Sequence, residues 1–187
     1  MKKVVIIFLL LSILSTITKA SESIKERIVV EITMLGHYAI ANNEFFLLEL
    51  RVINSSDSSL NFWAYNCAYL FNLTINSKDF ELVGNVCDSN YPQLNVIEPK
   101  HSVSYPIVLT KKYKKSNNNA FRLGFVFVNQ EQHSFGSDLM EAIVKIRDLG
   151  NQTYWSNEID ILKNRTNLPI IHPTGADMLS EPLYHPR

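Results

Sequence analysis

Phe45-Phe46-Leu47-Leu48-Glu49-Leu50-Arg51-Val52-Ile53 places Phe46, Leu48, Leu50 and Val52 at every second position, with Glu49 and Arg51 between them. Successive side chains of an extended chain point to opposite faces, so this stretch reads as a half-buried strand of an antiparallel sheet. Working outward, residues 28–35 repeat the pattern through Ile28, Val30, Ile32 and Met34. Residues 102–110 repeat it through Val103, Tyr105, Ile107 and Leu109. Pro106 has no N–H for a ladder bond, so that strand is expected at an edge or with a bulge there. In 121–128, Phe121, Leu123, Phe125 and Phe127 form the strongest apolar face, and Val126 and Val128 make the opposite face apolar in part. A strand apolar on both faces is a central one.

Shorter strands are expected at 60–66, which carries Phe62, Trp63 and Tyr65, and at edges over 69–75 and 80–83. Residues 142–149 and 153–161 read as a closing hairpin with Gly150-Asn151 at its turn. Residues 136–141 read as a single helical turn, because Asp138 with Glu141 three positions on makes a capping box. Eight or nine short strands with polar turns specify an all-β chain, an antiparallel β-sandwich, with a closed barrel as the alternative.

The N-terminus carries a different signal. Lys2 and Lys3 precede an apolar run from Val4 to Leu11 that continues past Ser12 to Ile17, followed by Thr18-Lys19-Ala20. That order is a cleavable export signal, with the cut after Ala20. The run is short for a membrane span, which takes about 20 apolar residues; an uncleaved anchor is the other reading. No Cys adjoins the cut, which argues against a lipid anchor, and no second long apolar segment follows. The expected organisation is a signal peptide at 1–20, a β-sandwich domain at 21–164 and a C-terminal tail at 165–187 punctuated by Pro169, Pro173, Pro182 and Pro186. The mature protein is expected in the periplasm or outside the cell, with no membrane span. Ile170, Ile171, Leu179, Leu183 and Tyr184 are costly to leave in water, which gives the tail a reason to pack along the domain.

Cleavage would change the charge balance from 18 basic and 18 acidic residues to 15 and 18, because it removes three lysines and no acid. A nucleic-acid binder needs a basic excess, so that class is excluded. The two cysteines, Cys67 and Cys87, form an even set in an exported chain and read as one disulfide, with two free thiols as the alternative. Such a bridge closes a loop of about 20 residues and stabilises by ~3 kcal/mol on the chain-entropy account. No His stands beside either cysteine at metal-ligand spacing.

Nothing in the sequence assembles a reaction centre. His37, His101, His133, His172 and His185 are scattered and form no His-x-His or His-x-x-x-His pair, and no Gly-x-Ser-x-Gly elbow exists. His133-Ser134-Phe135-Gly136-Ser137-Asp138 holds the letters of a triad, but triad groups converge from separate segments. Asp57, Asp79, Asp88 and Asp138 fall in turns, where Asp serves local hydrogen bonding, and Glu31 and Glu49 alternate toward water. Asp88-Ser89-Asn90 offers oxygen ligands without the loop of an EF-hand. No cofactor and no metal are expected. Lys111-Lys112-Tyr113-Lys114-Lys115 reads as a solvated tip that discourages edge pairing, or as a contact for an anionic partner. Asn54, Asn72, Asn151 and Asn164 each open an Asn-x-Ser/Thr triplet, expected to stay unmodified because the short Lys-Lys signal has a bacterial look.

Four elements also carry a likeness: Phe46 through Asn54-Ser55-Ser56 to Phe62-Trp63 and Cys67; Cys87-Asp88-Ser89-Asn90-Tyr91-Pro92; Arg122-Leu123-Gly124-Phe125; and Tyr154-Trp155-Ser156-Asn157. Together they resemble small exported bacterial proteins of unknown function, over about residues 28–162. The resemblance implies one immunoglobulin-like sandwich with one disulfide, and it brings no activity and no catalytic residues. Trp63 and Tyr65, two apart and leading into Cys67, read as core around that bridge. The polar run after Cys87 is the expected binding site: Asp88, Asn90 and Tyr91, near Trp63 and Trp155. The expected function is a non-catalytic binding module of the cell envelope, with a protein or glycan as partner. The alternatives are a hydrolase of envelope sugars or peptides, and an inhibitor of exported proteases that offers loop 111–119 as bait.

Overall fold

The computed structural model describes residues 27–40, 43–84, 90–112, 117–130, 138–165 and 168–170. In chain order its strands are β1 (Ile28–Ile40), β2 (Asn43–Asn54), β3 (Leu60–Tyr65), β4 (Leu73–Ile75), β5 (Phe80–Leu82) and β6 (Pro92–Ile97). They continue with β7 (Ser102–Lys111), β8 (Ala120–Phe121), β9 (Leu123–Val126), β10 (Val128–Asn129), β11 (Thr153–Trp155) and β12 (Ile159–Asp160). A 3-10 turn covers Tyr69–Asn72, and the helices are α1 (Leu139–Leu149) and α2 (Ile161–Arg165).

The alternation at 45–53 becomes β2, at the middle of a sheet of order β1-β2-β7-β5 with every pairing antiparallel. Phe46, Leu48, Leu50 and Val52 lose essentially all their exposure. β1 runs on past the expected 28–35 and slips register between Met34 and Gly36, so Leu35 is the extra residue of a bulge. Pro106 sits inside this sheet, not on an outer strand, yet the physics of the expectation holds. β5 pairs only with Leu109 to Lys111, so the side of β7 away from β2 is open at Pro106. There the Tyr69 hydroxyl donates to the Pro106 carbonyl at 2.6 Å.

β8, β9 and β10 are consecutive pieces of the run expected as the central strand. β12 and β11 pair on one side of it, β4 and β3 on the other, and β6 extends β3. All four residues of β9 are buried. Leu123 and Phe125 join the inner residues of β1, β2 and β7 in one hydrophobic cluster. Val126 and Val128 face the other way, where Trp63, Leu139 and Ile143 cover them. The chain is thus mostly β in antiparallel sheets, and the open edges at β1, β5 and β6 rule out the closed barrel.

Three local expectations are corrected. Residues 142–149 belong to a helix, not to a hairpin strand. Asp138 is the N-cap, its Oδ1 accepting from the N–H groups of Met140 and Glu141 at 2.9 and 3.3 Å. The Asp138 cap thus opens eleven helical residues in place of one turn. Gly150 closes the helix in the left-handed region at φ 66°, and donates to the Ile146 carbonyl. Leu139, Ile143 and Ile146 recur at helical spacing, and burying Ile143 alone stabilises by ~2 kcal/mol. Residues 69–75 do not form one edge strand either, because β3 pairs with β10 while β4 pairs with β9, leaving a gap between two partners. The 3-10 turn crosses that gap. Buried Asn72 fills it, donating from Nδ2 to the carbonyls of Trp63 and Val126, both at 3.1 Å.

No strand pairs with the outer edge of β1, but a side chain occupies it at one residue. The Asn157 side chain pairs with Ile32 as a strand would: Ile32 N–H donates to Oδ1 at 2.8 Å, and Nδ2 donates to the Ile32 carbonyl at 3.1 Å. Farther along, Ile170 forms a parallel bridge with His37, and Leu168 packs against the core. The start of the tail therefore lies along β1. The rest of the tail and the expected signal peptide lie outside the described residues.

Candidate interaction surface

Of the residues expected to bind, the two tryptophans stand apart. Trp63 lies beneath α1 at 8 % exposure, in the cluster of Val126, Val128, Leu139 and Ile143. Trp155 shares that outer face but stands beside Gly124 and stays 44 % exposed. By the rise of a strand, the four-residue step from Gly124 to Val128, their partners, sets them ~13 Å apart. Trp155 also explains Gly124. A Cβ there would meet Thr153 Cγ2 at 2.7 Å, Thr74 Cγ2 at 2.8 Å and the indole at 3.1 Å.

Asn90 and Tyr91 are tied to the loop after β3. Ala68 N–H donates to Asn90 Oδ1 at 3.3 Å. Asn66 N–H donates to the Tyr91 carbonyl at 3.1 Å, and Tyr91 N–H to Asn66 Oδ1 at 3.0 Å. The Tyr91 side chain remains exposed. Cys67 lies in this laced loop and is not a free thiol. Asp88 and Cys87 fall outside the described residues. Nearby, burial pushes the Tyr69 phenol up to about 12.

Chemistry-bearing groups stay dispersed. Among the described residues no three of His, Cys, Asp and Glu come together. The ion pairs Lys100–Asp57, Lys112–Glu81, Arg122–Glu158 and Lys163–Asp160 are at the surface. The Ser156 hydroxyl is held by backbone, accepting from Leu123 N–H and donating to the Asn157 carbonyl. A groove of about 230 Å³ between α1 and residues 151–152 has an apolar floor with one amine, Lys145.

A continuous feature lies instead on the outer face of the four-stranded sheet. Residues alternating with the core share that face, and the register sets them in rows. One row joins Gly36, Leu47 and Val108 and ends at Val83, whose N–H donates to the Val108 carbonyl. The next begins with Tyr38 stacked on Phe45 at 5.0 Å and runs on through Thr110 to Glu81, which pairs with Lys112. Leu35, thrown outward by the bulge, stands at 49 % exposure beside them, and Val83 at 36 %. Toward the other end the same face turns polar, where Thr33 opposes Glu49 and Glu31 opposes Arg51, which donates to Ser102 Oγ, before the Val29–Ile53 pair closes it. No described helix covers the apolar end. β2 announced this in sequence, since its outward positions read Phe45, Leu47, Glu49, Arg51, Ile53, apolar at the start where a wet face would be polar.

No family profile matches the chain, and no curated protein matches it. Among solved structures it is similar to a FixG-related protein from Vibrio parahaemolyticus, with 15 % identity and a TM-score of 0.34, over 58 % of this chain and 87 % of that one. No helix among the described residues is long and apolar enough to cross a membrane.

Proposed function

We propose that this chain is exported and that its mature part is a non-catalytic binding module of the cell envelope, built as an immunoglobulin-like β-sandwich with one Cys67–Cys87 disulfide. The observation that carries the binding reading is the apolar end of the outer sheet face, where Leu35, Tyr38, Phe45, Leu47, Val108 and Val83 adjoin without a cover among the described residues. Contiguous exposed apolar surface rimmed by polar groups marks interaction sites. A protein partner suits this face because it offers alkyl and ring carbon, flanked by the Glu81–Lys112 pair on β5 and just past β7 and by Glu49, Glu31 and Arg51 toward the other end.

The sandwich reading is supported by two sets of antiparallel strands that share one hydrophobic cluster. The disulfide is supported by a Cys67 that is not free, in a chain whose other cysteine is Cys87. Export is supported by residues 2–20. An intact mass beginning at Ser21, two hydrogens below that of the reduced chain, is the expected form.

The binding test is a photocrosslinking residue introduced at Leu35 or, as control, at Ser104 on the polar end of the same face. Cells should yield a discrete protein adduct from position 35 and none from 104. Adding Leu47→Asp should abolish it. No adduct at 35, or equal adducts at both positions, would sink the reading.

A further inference from the structure

Among the edge strands of the described residues, β1 and β5 are guarded. On β1, Asn157 occupies the backbone of Ile32, and Ile170 meets His37. β5 is three residues long and carries Glu81, paired with Lys112, and short charged edges discourage pairing. β6 lacks such devices beyond its opening Pro92. Gln93-Leu94-Asn95-Val96-Ile97 is uncharged, and no described strand lies on its outer side.

The direction of the β6 backbone follows from its register. In an antiparallel ladder, residues that bond their neighbour alternate with residues that do not. Tyr91 accepts from Asn66 N–H, and Pro92, opposite Tyr65, has no N–H to give. Residues 91, 93, 95 and 97 therefore turn to β3, and residues 92, 94 and 96 turn outward. Leu94 and Val96 each present an N–H and a carbonyl to the open side. Val96 is 54 % exposed, on the same face as Leu94, which packs on the α1 cluster.

We infer that β6 is a self-association edge, pairing antiparallel with β6 of a second copy of this chain about a two-fold axis at Asn95. In that register Leu94 of each copy opposes Val96 of the other. Opposed residues of this kind exchange both N–H···O=C bonds, so the two pairs make four. The surface is self-complementary, as a two-fold interface requires. The pairing sets exposed Val96 against Leu94 of the other copy, and no charge between 93 and 97 must leave water.

Light scattering on the purified protein over a concentration series tests this. The mass should rise from one chain to two with concentration. Val96→Pro removes only an outward N–H, leaves the ladder to β3 intact, and should hold the mass at one chain with an unchanged circular dichroism spectrum. Val96→Lys keeps the N–H and should weaken association by about tenfold or more; it decides the matter even if the proline variant fails to fold. A one-chain mass for the wild type throughout, or a dimer indifferent to Val96→Lys, would overturn the inference. So would a β6 that takes up a foreign extended peptide while the chain itself stays monomeric.

Discussion

Asn54 and Asn72 show what letters alone conceal. Both open glycosylation triplets, yet both side chains are buried and committed to backbone. Asn54 Nδ2 donates to the carbonyls of Ser58, Ile97 and Glu98, and its Oδ1 accepts from Ser56. Asn72 does the same for Trp63 and Val126 across the gap between β3 and β4. Asn72→Ala leaves two buried carbonyls short of a donor, and a group so stranded costs about 1–3 kcal/mol. The urea midpoint of that variant should fall with little change of slope. Asn151→Ala, at an exposed position, should leave the midpoint where it is. Equal midpoints for the two variants would contradict the bridging role of Asn72. Trp63 and Trp155 teach the same lesson: both lie on short strands with aromatic neighbours, and only the position of α1 makes one core and the other surface.

Elements were legible where one face is buried over many residues. The alternation of β2 and β7 fixed their faces, and the two-sided apolar run at 121–128 identified the strand with partners on both sides. The helix was obscured because Ile143, Val144 and Ile146 are β-branched, which favours strands on propensity. Leu139 and Asp138, which complete the helical spacing and the cap, precede residues 142–149 in a segment whose own signal is that of a turn. β6 gives a weak signal because its alternation rests on Leu94 and Val96 alone, between Pro92 and Pro99. The candidate site divided likewise. Asn90 and Tyr91 do lie in a laced loop with Cys67, whereas the apolar row on the outer face exists only once β1, β2 and β7 are in register.

At the scale of the molecule, strand order was not readable, because β2 finds β7 across four intervening strands and no local signal encodes that partner. The assembled core has a consequence for pH. Burial raises the phenol of Tyr69 to about 12 and raises those of Tyr38 and Tyr154; Tyr65 is raised by burial first, and then by the charge of Asp138. The unfolded chain ionises these groups near 10, so from there upward it releases protons the folded chain still holds. Stability must then fall as pH rises, and none of this contribution is lost below the unfolded value. Thermal midpoints should stay level to about pH 9 and drop through pH 10–12, with a shallower drop in Tyr69→Phe. An equally steep drop in that variant would remove Tyr69 from the explanation.

The Asn157 amide that occupies the edge of β1 reaches Ile32 across 125 residues of sequence. A chain made from its N-terminus presents β1 and β2 long before that amide exists. Throughout most of synthesis, the first strand carries an unprotected row of backbone groups, the state in which strands join wrongly with other chains. Occupation of the edge at Ile32 is thus a late event in folding, set by the arrival of the last third of the polypeptide. A chain held unfolded until it is complete avoids the exposure altogether, which is the condition of a protein threaded through a membrane before it folds.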